Sequence, residues 1–245
     1  MTRMEELIRA FKAFSPEVVI HAAANVDQCE LDHDLAYLVN ALGSRNVAAA
    51  AAMVGVKLVF ISTDYVFNGR AGRPYREFDA PDPINIYGKS KLAGERYAAE
   101  LCPCYFIVLT FWLYGRHGKN FVKTMLDLAG KRDEIAVVDD QVGSPTYAWD
   151  LARFIAGLIE TELYGIYHAS NGGECSWFDF AREIFRLAGQ DHVRVRPISS
   201  AELNRPAPRP AYSVLENYCI RLQGLPDLRC WQEALLDFLK GEVPS

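Results

Sequence analysis

The sequence predicts an α/β protein: a doubly wound parallel sheet followed by a smaller α/β region. Two patterns carry this expectation. Short apolar, β-branched segments alternate with helix-length segments over the first two-thirds of the chain. Those strand segments are apolar at successive positions, as strands covered by helices on both faces must be. The bulk numbers agree, since 245 residues, half of them hydrophobic and 23% charged, suffice to bury a substantial core in one or two globular units.

The elements follow in order. Thr2-x-x-Glu5 ahead of Leu7, Ile8, Phe11 and Phe14 reads as a capping box opening an amphipathic helix, so the sequence begins directly on a helix. Ser15-Pro16 ends it, and "EVVIHAAA" follows as a short buried strand running into small residues. An Ala-rich helix spans about Asp34 to Val54 and closes on Gly55. "VKLVFIST" is the next strand, and the Gly- and Pro-punctuated loop "DYVFNGRAGRPYREFDAPDP" leads to a helix holding Tyr87 and Lys91. Then come strand "YFIVLT", a helix near Phe121 to Ala129, strand "IAVVD" and a helix from about Tyr147 to Glu160. In the last third, "GIYHAS" is a short strand, and Ser176-x-x-Asp179 caps the helix "FAREIFRLAG", which ends at Gly189. "VRVRPIS" alternates like a strand, and the final helix runs from about Trp231 to Leu239. Between them "NRPAPRPAYSV" is too Pro-rich for a helix and reads as a loop lying across something.

Charge and composition exclude several classes. A net charge of −5 and a pI near 5.6 argue against a nucleic-acid surface. No apolar run reaches the roughly 18–20 residues that span a bilayer, and "MTRMEELIRAF" has no signal-peptide core, so no membrane contact and a cytoplasmic location are expected. The six cysteines form no C-x-x-C pair and read as reduced structural thiols. His21, His117 and His168 lack the spacing of a metal set, and the adjacent Asp139 and Asp140 read as solvated, so no metal is expected.

The chemistry concentrates in "INIYGKSKLAGE". Tyr87 and Lys91 are four apart, so on a helix they share a face about 5–6 Å apart, and the ammonium is placed to lower the pKa of a phenolic proton donor. Alone the match is weak, since 12 Tyr and 8 Lys give about 0.4 such pairs by chance. Two other segments converge on it. "ISTDYVF" puts Ser62, Thr63, Asp64 and Tyr65 at the C-terminal end of a strand, where open α/β sheets bind ligands. "HAAA" ends the preceding strand with residues small enough for a flat ring to approach the backbone. Hydroxyls, a phenol and an ammonium at such an edge suit stabilisation of an alkoxide during hydride transfer.

Taken with "VNALGSRNVA", "ISTDYVFNGR", "FWLYGRHGKNFVKTML", "VVDDQVGSPTYAWDLA" and "RPAYSVL", the chain resembles the extended short-chain dehydrogenase/reductases, and within them the dTDP-4-dehydrorhamnose reductases, in the family's order over nearly its whole length. The resemblance implies a Rossmann-like dinucleotide-binding domain over 1–110 and 140–164, and a sugar-nucleotide domain over 111–139 and 165–245. It implies NADPH or NADH as cofactor and a dTDP-sugar as substrate, with a homodimer left open. By the same resemblance, Thr63, Tyr87 and Lys91 are catalytic, and Ala22, Ala23, Ala24, Ile61 and Ser62 join Tyr87 and Lys91 along the cofactor. Thr63, Asp64, Tyr65 and Trp112 shape the sugar pocket, and Asn120 and Arg209 hold the dTDP part, an Arg fork suiting a pyrophosphate.

The sequence departs from the family at one place. The Gly-rich turn G-x-x-G-x-x-G, whose backbone N–H groups take the pyrophosphate at a helix N-terminus, occurs nowhere in these residues. The first helix matches the segment just before "VVIHAAA", so the sheet is expected to be N-terminally incomplete, with uncovered strand edges. Besides the reductase, two readings therefore stand: a non-catalytic binding or regulatory protein on the reductase fold, and a sugar-nucleotide epimerase or dehydratase sharing the Tyr/Lys core.

Overall fold

The computed structural model describes residues 1–23, 28–203 and 207–242. The chain runs α1 (Met4–Phe14), β1 (Val18–His21), α2 (His33–Ala36), α3 (Ser44–Val54), β2 (Lys57–Thr63), α4 (Ile86–Leu101) and β3 (Tyr105–Thr110). It continues through β4 (Leu113–Tyr114), α5 (Phe121–Ala129), β5 (Glu134–Val138), β6 (Val142–Gly143), β7 (Thr146–Tyr147), α6 (Ala148–Leu158) and β8 (Gly165–His168). β9 (Cys175–Ser176), α7 (Trp177–Leu187), β10 (Arg194–Ile198), α8 (Tyr218–Leu222) and α9 (Trp231–Glu242) complete it.

Four strands in the order β1-β2-β3-β8 form one sheet, every pair parallel. Its doubly wound character is visible residue by residue. On one face Leu58, Phe60, Ile107 and Leu109 pack against Val47, Ala48 and Ala51 of α3 and Leu92 and Ala98 of α4. On the other, Val59, Phe106, Val108 and Tyr167 pack against Leu151, Ile155 and Leu158 of α6 and Ile220 of α8. Alternate residues of each strand therefore feed opposite cores, which is why the strands read as continuous apolar runs. A separate core joins α5, α7 and α9, built around Val122, Phe180, Ile184, Leu235 and Phe238, with β5 and β10 paired in parallel beside it.

Three local expectations are corrected. Thr2 does not cap α1: the helix begins at Met4 with Arg3 in the cap position and no side-chain cap bond, while the Thr2 carbonyl accepts from Asn46 Nδ2. The helix expected over Asp34 to Val54 is interrupted by a π-helical stretch, Tyr37–Gly43, between α2 and α3. The strand at 165–168, assigned above to the sugar-nucleotide region, is the fourth strand of the main sheet, because its backbone continues the ladder from β3.

Among the described residues β1 pairs only with β2, leaving its other side open, and the Ile20 side chain is 54% exposed there. The segment from 207 onward ties the two cores together. Tyr75 N donates to Val214 O (2.9 Å), Val142 N to Ala211 O (2.8 Å) and Ser213 N to Val142 O (3.0 Å).

α4 reaches the sheet through glycines. A Cβ at Gly88 would lie 2.0 Å from the Tyr65 carbonyl oxygen, and one at Gly94 would lie 2.5 Å from the Asn40 carbonyl oxygen and 3.1 Å from the Phe60 ring. Gly94→Ala therefore forces α4 away from the π-helical stretch. Urea unfolding is expected to show a loss of about 1–3 kcal/mol, the usual cost of overpacking, and unchanged stability would show that this crossing is not tight.

Candidate active site

The site is assembled where α4 begins, over the C-terminal end of β2. Asn85 caps α4, its side chain accepting from Gly88 N (2.7 Å) while its Nδ2 donates to Pro208 O (2.9 Å). The same residue thus fixes the first turn of the helix and the Pro-rich loop above it. Ile86 N donates to Glu30 Oε1 (2.6 Å), a carboxylate at the helix start where the backbone dipole favours it. Tyr87 is then directed inward, among Cys29, Ala36, Ile86 and the edge of the Tyr65 ring at 5.7 Å between centroids.

Tyr87 meets Thr63, which lies within hydrogen-bonding reach of its phenol. Thr63 Oγ1 donates to Asp64 Oδ1 (2.9 Å), and the Ser213 hydroxyl donates to Asp64 Oδ2 (2.5 Å). Asp64 is buried, and that burial raises its pKa to about 7 despite these bonds and the neighbouring Arg209 charge. Burial likewise raises the Tyr87 phenol above its usual value, with the Asp64 charge adding to the effect. The expectation that Lys91 lowers the phenol's pKa is therefore corrected. The Lys91 ammonium turns toward the sheet, donating to Ile61 O (2.6 Å) and sitting 4.1 Å from the Phe60 ring centroid. Its own pKa falls to about 8, again through burial, with Glu95 opposing the fall.

The structure thus brings together Ile61, Ser62, Thr63, Asp64, Tyr65, Tyr87, Lys91 and Arg209. Ala22 is exposed and Ala23 lines a cavity with Cys29, Ala36 and Asn40 just beyond β1; Ala24 lies outside the described residues. Two expected residues make structural contacts of their own. Trp112 is stacked on Trp177 at 3.5 Å, with a left-handed backbone (φ 49°) that only a closely packed site sustains in such a residue. Asn120 caps α5, accepting from Lys123 N (3.1 Å) and donating to Gly115 O (2.8 Å), so its amide serves the loop at 115–120. Sequence reasoning missed Ser213 and Asn85. Ser213 is 149 residues from its partner Asp64, and no local pattern connects them; the cap of Asn85, by contrast, was readable as Asn before a helix.

The donor set suits a dinucleotide ribose. An ammonium carries three N–H groups, and Ile61 O uses one of them, while the small Ala22 and Ala23 leave backbone accessible nearby. Among the described residues no cluster of three or more His, Cys, Asp or Glu could hold a metal ion, and no helix is long and apolar enough to cross a membrane.

Comparison with known proteins bears on this arrangement. Residues 1–243 match the family described as the RmlD substrate binding domain. The chain is 44% identical to the spore coat polysaccharide biosynthesis protein SpsK of Bacillus subtilis, over 94% of this chain and 81% of that protein. It is 46% identical to a dTDP-4-dehydrorhamnose reductase of Streptomyces griseus, over 91% of this chain and 76% of that one. It superposes with a TM-score of 0.96 on a dTDP-4-dehydrorhamnose reductase from Bacillus anthracis in complex with NADP, at 50% identity, covering 98% of this chain and 86% of that one.

The buried carboxyl generates a pH prediction. Asp64 holds its proton up to about 7 in the folded chain, against about 4 in the unfolded chain. Its contribution is thus fully present below about 4 and is lost as pH rises toward 7. Asp64→Asn removes that titration. The drop in unfolding free energy between pH 5 and pH 8 should be smaller in the variant, by about 2–3 kcal/mol for one proton over two pH units, and an equal drop in both proteins refutes the assignment.

Proposed function

The chain belongs to the RmlD substrate-binding-domain family, and on that premise we propose that it is an NADP-dependent oxidoreductase of the dTDP-4-dehydrorhamnose reductase type. It reduces the C4 keto group of dTDP-4-dehydro-6-deoxy-L-lyxo-hexose to give dTDP-L-rhamnose. The observation that carries this reading is the Tyr87 phenol held against Thr63 at the C-terminal end of a parallel strand, with the Lys91 ammonium buried one helical turn further on.

When bound, the nicotinamide supplies the hydride. The residues of the chain manage the oxygen that the hydride leaves charged. Thr63 orients the carbonyl by hydrogen bonding, its one hydroxyl proton turning from Asp64 Oδ1 to the carbonyl oxygen when the sugar binds. Tyr87 gives its proton to the C4 oxygen as it becomes an alkoxide; the raised pKa of the phenol keeps that proton in place until so strong a base forms. Lys91 holds the ribose. Asp64, fixed by Ser213, sets the Thr63 hydroxyl. Tyr65 and Trp112 bound the sugar, Arg209 meets the diphosphate, and Asn120 contributes by fixing the 115–120 loop. Ile61, Ser62 and the alanines after β1 line the cofactor. The acidic net charge argues against nucleic acid and leaves a nucleotide-sugar substrate open, and reduced cysteines suit the cytoplasm. A homodimer is compatible with this reading.

A second reading is a binding protein on the same fold, for these 245 residues carry no Gly-rich turn to take a pyrophosphate. Titration with NADPH separates the two, since saturable micromolar binding supports the reductase and no binding supports the alternative.

With NADPH and the keto sugar, Tyr87→Phe is expected to lower kcat by about 10²–10⁴-fold, the usual worth of a positioned proton donor, with its far-UV circular dichroism unchanged. Turnover like the wild type's ends the proposal. Arg209→Ala should mainly raise KM for the dTDP-sugar, by about tenfold for roughly 1.4 kcal/mol of lost binding. An effect on kcat alone would remove Arg209 from the diphosphate.

A further inference from the structure

The helix that carries Tyr87 and Lys91 places a third ionisable group at the same spacing. Glu95 follows Lys91 by four residues, so the two lie on one face of α4. Both are buried, Lys91 at 1% and Glu95 at 7% exposure. They contact three consecutive residues of β2. Lys91 lies over the Phe60 ring and donates to the Ile61 carbonyl, and the next side chain on the face of Phe60, Ser62, donates to Glu95 Oε1. Gly94 brings this stretch of the helix against Phe60 and Ser44. The face is thus a closed arrangement in which a buried carboxyl, aimed by Ser62, neighbours a buried ammonium with which it makes no direct ion pair.

A buried ammonium whose direct contacts among the described residues are a carbonyl and an aromatic face loses its proton readily, because desolvation penalises the charged form. The groups facing the pair sort simply. Arg96 acts on Glu95 from the same helix, favouring its ionised form. From β1, His21 packs edge-on to Phe60 and bonds to Ser44, and burial, with the Lys91 charge adding to it, disfavours its protonation, so it stays neutral near pH 7 and adds no charge. Tyr87 is a neutral phenol. Glu95 is therefore the acidic group on this face that opposes loss of the Lys91 proton.

We propose that Glu95 is a positioning residue of the reductase site: its carboxylate, aimed by Ser62, keeps Lys91 protonated one turn below Tyr87. This rests on the reading of Lys91 as the group that holds the ribose. Glu95 touches neither substrate nor cofactor and acts only through Lys91. Its own pKa is raised to about 7 by burial, and Lys91 titrates near 8, so the carboxylate is ionised over the range in which it matters.

The test follows Lys91 directly, without turnover. The full chain, labelled at lysine 13Cε, is titrated by NMR between pH 5 and 11, with the Lys91 signal assigned by its loss in Lys91→Met. Glu95→Gln keeps an acceptor for Ser62 and removes the charge. The Lys91 midpoint should fall by about one pH unit, while Glu95→Asp should stay within half a unit of the wild type. A midpoint unmoved in Glu95→Gln, or moved equally in both variants, overturns the proposal. The wild type alone provides a further check should Glu95→Gln fail to fold: the Lys91 signal should show a smaller inflection near pH 7, where Glu95 titrates, and its absence counts against the coupling. A wild-type chain that turns over no substrate would remove the reductase reading, yet the titration would still report whether Glu95 governs Lys91.

Discussion

The burial of the Lys91 ammonium against the Ile61 carbonyl and the Phe60 ring is the constraint on which the rest of this structure depends. A charged group is admitted to an interior only where its hydrogen bonds and neighbouring charges compensate for lost water. Here that compensation requires α4 to lie close along β2. The approach is possible because Gly88 and Gly94 remove side chains where the helix meets the Tyr65 and Asn40 carbonyls. Once α4 is seated, Tyr87 is committed to the strand end, and the hydroxyl of Thr63 is within its reach.

The site is thereby a place where several groups are held away from their ordinary protonation equilibria by one cause. Desolvation raises Asp64, Glu95 and Tyr87 and lowers Lys91 and His21. Perturbed groups gathered in one place mark functional sites more often than structural ones. Each carboxyl is restrained by a hydroxyl from another part of the chain, Ser213 for Asp64 and Ser62 for Glu95. The Pro-rich segment therefore does more than cover the site, because it delivers Ser213 and brings Arg209 near Asp64.

Much of this was legible in the linear chain. The strand–helix alternation, the placement of "ISTDYVF" at a strand end and the helical spacing of Tyr87 and Lys91 all depend on short-range periodicity, which sequence displays directly. The misjudged features depend on competition between distant groups. Thr2 is a good cap by local rules, but its carbonyl is drawn to Asn46, and the helix starts later. The 165–168 strand looks like part of the last third because its neighbours in sequence are, yet its partner is β3. The π-helical stretch arises where the Asn40 backbone meets α4, and no local propensity announces it.

By itself the sequence determined which residues are brought together at the strand end, because the tyrosine, lysine, threonine and aspartate lie in two short segments whose periodicity sets their facing. Only the tertiary structure decided what those residues are chemically. Burial depth, the direction of the Lys91 ammonium and the distant hydroxyls of Ser213 and Asn85's hold on Pro208 set the protonation and orientation of the site. These depend on how much water the assembled fold excludes, a quantity that belongs to the packed molecule and not to any segment of the chain.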